Sequence, residues 1–140
     1  MAESKILATN IKNTTRRPLP AVCFLEIKNK VLGQTYNLSL VLIGDYKAQK
    51  LNQAWRHKNT KANILSFPLD QQNGEIYLNL AKCEREHKKF KMTYTTYVAY
   101  LFIHGLLHLK GYAHSSTMEI KERQILSSFN FHDQKHRRRT

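Results

Sequence analysis

Cysteine is scarce in this chain. Only Cys23 and Cys83 occur, far apart, and no Cys-x-x-Cys pair exists. A disulfide framework is therefore not implied, and a reducing compartment is the simpler inference. Both thiols read as buried and inert. The opening stretch MAESKILATN lacks the apolar core of a secretory signal. A run of about eighteen apolar residues, enough to span a bilayer, is also missing. These absences predict a cytoplasmic protein with no membrane partner. Acidic residues are outnumbered, 10 against 23 lysines and arginines, for a formal net charge of +13. Lys135, Arg137, Arg138 and Arg139 against Asp133 put +3 on the last nine residues and leave +10 on the rest. A body this basic points to a polyanion, most commonly nucleic acid, with a solvated lysine-rich surface as the plainer alternative.

The length of 140 residues and the 41% apolar content suit one packed domain. That domain is expected over residues 1–131, followed by a basic tail over 132–140. No internal repeat or long linker interrupts it. A short edge strand is expected at Lys5 to Ala8, and Thr14 to Pro18 reads as a turn into a helix. Leu19, Val22, Cys23, Ile27, Val31 and Leu32 give that helix its apolar side, and Gly33 ends it. Asn37 to Ile43 reads as a buried strand. Asp45 then caps a helix whose inward stripe is Ala48, Leu51 and Trp55. Asn63 to Leu69 and Glu75 to Leu80 read as an antiparallel pair of strands across a polar turn. Ala81 to Phe90 reads as a charged surface helix. Thr93 to Lys110 is apolar on all sides and should run through the core, with Gly111 as its stop. Ser116 to Glu119 reads as a capping box opening a last helix that runs to about Ser128. The fold class expected is α+β, a small mixed sheet of about four strands packed with helices.

Two histidines sit inside the most apolar helix. His104 and His108 are four positions apart, an advance of about 400°, so both rings leave the same side one turn apart. Gly111 lets the chain turn back, and His114 follows within reach. Three imidazoles around one ion leave a fourth position open, the arrangement of a catalytic zinc site; nickel, cobalt and iron accept the same ligands. Chance produces this spacing in roughly one sequence in fifty of this composition, a real false-positive rate for a short motif. The alternative is two hydrogen-bonded core histidines and one surface histidine. Two imidazoles buried without a task would cost free energy, which favours ligation. The zinc proteases carry a glutamate base between their first two ligands. Here Gly105, Leu106 and Leu107 occupy that interval, so a peptidase of that kind is disfavoured.

The stretch from His104 through Gly105, Leu106, Leu107, His108, Leu109, Lys110, Gly111, Tyr112 and Ala113 to His114 resembles the signature of the YbeY family of bacterial rRNA maturation factors. Upstream, Leu51, Asn52 and Arg56, then Asn63 to Pro68, then Gly74, Glu75 and Ile76 follow that family's order of motifs. The likeness runs from about Asn37 to Ile125. It implies a zincin-like single domain with the metal at one end of a cleft. It implies that His104, His108 and His114 hold one Zn2+ per chain and that Arg56 faces the cleft. It also implies a metal-dependent single-strand endoribonuclease that matures the 3′ end of small-subunit rRNA and serves ribosome quality control. The partners implied are rRNA and the small ribosomal subunit or its assembly factors.

Three positions depart from the family pattern. Ala113 stands where an aspartate is usual, Asn63 where another aspartate is usual, and His57 where a glycine is usual. Arg56 by itself reads as a helix C-terminal arginine that offsets the dipole; the resemblance makes it a phosphate ligand. Lys58 and Lys61 are candidates to track an RNA backbone or are solvated loop residues. Ser66 reads as a buried strand serine, and Tyr94, Tyr97 and Tyr100 as core or its margin. The nucleophile is left open between water and the substrate's own 2′-hydroxyl. A ribosome-assembly RNA-binding factor with a mainly structural metal is the second function considered, and another metallohydrolase is the third.

Overall fold

A computed structural model describes residues 9–131. The strand expected at Lys5 to Ala8 and the tail 132–140 lie outside the described residues. The chain runs β1 (Thr9–Asn13), α1 (Phe24–Leu32), β2 (Asn37–Ile43), α2 (Asp45–Arg56), β3 (Ile64–Asp70), β4 (Asn73–Asn79), α3 (Leu80–Glu86), α4 (Tyr94–Lys110) and α5 (Ser116–Ser128). The architecture is α+β with one mixed four-stranded sheet, as expected. Its order is β1-β2-β4-β3. β1, β2 and β4 are mutually parallel, and β3 turns back antiparallel to β4 as a sheet edge. No helix among the described residues is long and apolar enough to cross a membrane.

The core forms where α4 lies on the sheet. Leu40 and Leu42 of β2 and Ile76 and Leu78 of β4 are wholly buried against it. So are Val98, Phe102, Ile103, Leu106 and Leu107 of α4. The helix packs on β3 and β4 and is covered by α1, α3 and α5. That explains an apolar surface on every side of it. Each such aliphatic side chain contributes about 1.5–3 kcal/mol through burial. Thr93 opens α4, its hydroxyl accepting the Thr96 N–H at 3.1 Å. Gly111 closes it at φ 110°, where a side chain would be strained.

Several local expectations are corrected. α1 begins at Phe24 rather than near Leu19. Pro20 disfavours helix at Leu19, and the Val22 and Phe24 N–H groups bond back two residues at 2.8 and 2.9 Å. Asp45 is the first helical residue of α2 and caps nothing with its side chain. Its carboxylate accepts from Asn79 at 2.9 Å and from Arg85 at 2.7 and 3.0 Å. That tie joins α2, the end of β4 and α3. Trp55 points outward at 69% exposure. Gln53 to His57 are all exposed, so the last turn of α2 has run past the core and the inward stripe stops at Leu51. α3 ends at Glu86, and the chain turns through Lys91 at φ 58°. α5 is capped by Ser115, which accepts the Met118 N–H at 3.2 Å, so the capping box expected at Ser116 does not form. Cys83 is buried and its thiol pushed up to about 12 by burial, which fits an inert role.

Candidate metal centre

One face of α4 carries Tyr100, His104 and His108 at four-residue intervals. The His104 and His108 rings lie edge to face with centroids 4.5 Å apart, and their Nε2 atoms stand 3.1 Å apart. After Gly111 the chain doubles back. The Gly111 N–H bonds to His108 O and the Tyr112 N–H to Leu107 O, both at 3.0 Å, a closure that satisfies the helix's last carbonyls. This return brings the His114 ring to 5.0 Å from His104 and 4.5 Å from His108. One nitrogen from each ring lies within 4.8 Å of the others, a cluster able to hold a metal ion. His104 and His108 are half-buried, and His114 is exposed.

The outer nitrogens fix how the rings face one another. His108 Nδ1–H donates to the Tyr112 carbonyl at 3.1 Å. His104 Nδ1–H donates to the carboxylate of Glu122, which α5 brings beneath it. A carbonyl and a carboxylate only accept, so this network places the proton on Nδ1 in both rings. The two Nε2 atoms, the ring positions left for a ligand, then face each other at 3.1 Å. Two such nitrogens at this distance need a shared proton or a cation between them. Two nitrogens bound about 2.0–2.1 Å from one tetrahedral ion would stand roughly 3.3 Å apart, close to what is seen. The donor set therefore fits a divalent metal such as zinc. Burial, and then the nearby His104, lower the His108 pKa and favour the neutral ring that ligates metal.

Glu122 is 2% exposed and was missed by sequence reading. A signal existed: Met118, Glu122 and Ile125 share helical spacing, which put a carboxylate on the buried side of α5. Ala113, where an aspartate is usual, lies beside His114 in sequence; the carboxylate the structure supplies lies under His104. Burial, and next Glu122, push the Tyr100 hydroxyl up to about 12. Glu122 thus acts on both Tyr100 and His104.

A cleft of about 420 Å³ opens over the histidines. Arg56, Asn63, Ser66 and Phe67 line it along with the three rings. The end of α2 and the edge strand β3 supply that opposite wall. Gly105 lets α4 approach β3 closely: a Cβ there would stand 2.7 Å from Ile64 Cδ1 and 2.9 Å from Ser66 Oγ. Ser66 Oγ instead donates to the Gly105 carbonyl at 3.3 Å. Arg56 therefore joins the histidines at one cleft, whereas Lys58 and Lys61 are exposed on the adjoining loop and do not line it. Among the described lining residues there is no carboxylate. His57 adopts φ 56° at the α2 C-terminus, which explains why glycine suits that position.

The family profile described as Endoribonuclease YbeY matches residues 3–130. An Endoribonuclease YbeY of Mycoplasma mycoides is 30% identical over 113 residues, 66% of this chain and 69% of that protein. Another from Pseudomonas fluorescens is 28% identical and aligns over 91% of this chain and 95% of its own length. A solution structure of a Thermotoga maritima protein shares the fold with a TM-score of 0.60 at 25% identity, covering 84% of this chain and 86% of its own.

Proposed function

This chain belongs to the YbeY family of endoribonucleases, and from that premise we propose that it cuts single-stranded RNA at the cleft between α4 and β3. The observation that carries the reading is the facing pair of Nε2 atoms, with His114 folded over them and Arg56 across the cleft. His104, His108 and His114 are the proposed ligands of one zinc ion. When bound, such an ion polarises a phosphoryl oxygen and lowers the pKa of a water. The chain's own groups do the rest. Glu122 and the Tyr112 carbonyl hold two rings in the ligating tautomer, which keeps the ligands basic and oriented. Arg56 binds the scissile phosphate through its planar guanidinium and offsets the charge that builds on it. Lys58 and Lys61 draw the strand toward the cleft by charge. The substrate is proposed to be rRNA near the 3′ end of the small subunit, met on the subunit or its assembly factors in the cytoplasm. The family assignment and the basic body support this.

The lining without a carboxylate favours one second reading. In it the chain is a ribosome-assembly factor that binds RNA through the same cleft, with a mainly structural metal. Cleavage of a single-stranded RNA by zinc-loaded protein and by H104A separates the two. The nuclease reading expects H104A to lose about a thousand-fold or more, as removal of metal catalysis should. Equal, slow cleavage by two well-folded proteins would contradict it. A cyclic phosphate on the product would identify the substrate's 2′-hydroxyl as the nucleophile.

A further inference from the structure

Trp55 is the only tryptophan of the chain and is 69% exposed. It is not loose. Its ring tilts at 58° against Phe67, with centroids 6.2 Å apart. Phe67 stands edge-on to Tyr77 at 5.8 Å and lines the cleft. The three rings form a row from β4, across the edge strand β3, to the tip of α2. The inner end of that row is half-buried and the outer end is in water. A large aromatic ring held from one side and open on the other is a stacking surface with little rotamer freedom left to lose.

The chemistry around it selects the occupant. Trp55 directly precedes Arg56, and His57, Lys58 and Lys61 follow on the same exposed loop. From Gln53 to Ala62 no acidic residue occurs. The outer, exposed end of the aromatic row is therefore flanked by a basic loop and the proposed phosphate-binding arginine, while the one nearby acid, Glu75, lies opposite Phe67 at the inner end and accepts from the Tyr77 hydroxyl. An unpaired nucleobase with its phosphate meets both needs: an apolar face for the indole and an anion for the guanidinium. A base inside a duplex has no free face to offer. We propose that Trp55, backed by Phe67, is a stacking platform for an unpaired base of the RNA strand, next to the nucleotide whose phosphate is held at Arg56. This rests on the RNA-binding reading above and adds to it the means by which single strands are preferred.

Because Trp55 is the sole tryptophan, its emission reports on this ring alone. The full chain is titrated with a 2′-O-methyl oligouridine or oligoadenosine, which resists cleavage. Tryptophan emission is followed with unlabelled oligonucleotide, and anisotropy with an end-labelled copy. The expectation is quenching that saturates with binding. W55A should bind about 5- to 30-fold more weakly, the lower part of the range for one stacked base. W55F should recover most of the affinity, since it restores a ring. The salt dependence separates the roles: R56A should flatten the slope of log affinity against log salt, and W55A should leave it unchanged. Binding without quenching, with W55A as tight as wild type, would overturn the platform and leave the RNA-binding reading intact. No binding of any oligonucleotide would remove that reading as well. Equal quenching by a duplex would overturn the preference for unpaired bases. A concentration-dependent emission change without RNA, with a dimer in sedimentation, would assign the ring to a second copy instead.

Discussion

The two walls of the cleft are built on different principles. The α4 wall sets His104 and His108 half-buried in a helix packed on all sides, and each of those rings has a hydrogen-bond partner behind it. The α2–β3 wall ends in exposed residues: Trp55, Arg56 and His57, then the basic loop to Lys61. A metal needs ligands fixed in advance, and burial with second partners provides that. A polyanion needs charge and accessible surface, and an exposed basic loop provides that. Changes in the first wall should act on metal affinity and be severe. Changes in the second should be graded, salt-dependent and small in their effect on stability.

The largest separation of the walls should come from Glu122→Gln. The amide can still accept the His104 Nδ1–H, but the charge behind the ring is gone. Zinc affinity, measured by competition with a chelator, should fall about 10- to 100-fold while the far-UV spectrum is unchanged. Unaltered zinc affinity would show that Glu122 does not tune the ligand.

A middle-sized effect tests how the second wall is anchored. The Arg85 hydrogen bond, aided by Asn79, lowers the Asp45 pKa to about 2. A carboxyl depressed on folding stabilises above its unfolded value near 3.8 and loses that contribution as pH falls through 2. Arg85 is half in solvent, so the tie is discounted to about 1 kcal/mol. Asp45→Asn should cost that much at pH 7 in urea unfolding and should blunt the loss of stability between about pH 4 and 2. A cost that persists unchanged at pH 2 would assign the effect to packing.

The smallest effect is at His57. Its φ of 56° is strained for a side-chain-bearing residue. His57→Gly should relieve this and raise the melting temperature by a few degrees, about 0.5–1 kcal/mol, without changing zinc affinity. A lower melting temperature would mean that the ring makes a compensating contact.

What the sequence disclosed about the walls follows the same division. The α4 wall was readable because its signals are local. Thr93 and Gly111 bound the helix, and the four-residue step puts two imidazoles on one face. The antiparallel β3–β4 pair was readable from its polar turn. The insertion of β4 between β2 and β3 was not, because strand order is set by which surfaces meet in space. Glu122 was missed for that reason: its partner is eighteen residues away, on another helix. Trp55 was assigned inward because periodicity continues to the end of α2, whereas the core does not. Asp45 has the chemistry of a cap, but a tertiary partner, Arg85, takes its carboxylate. Leu19 carried helical spacing, yet Pro20 decided the local backbone. Arg56 needed the family likeness before the structure set it across from the histidines.

The central claim is that His104, His108 and His114 make a metal site whose ligands are prearranged. Calorimetric titration of zinc into tag-free, chelator-stripped protein tests it most directly. The expected result is one ion per chain and no comparable binding by the His104→Ala, His108→Ala double variant. Wild-type protein that takes up no metal, or a double variant that binds zinc as tightly as wild type, would contradict it.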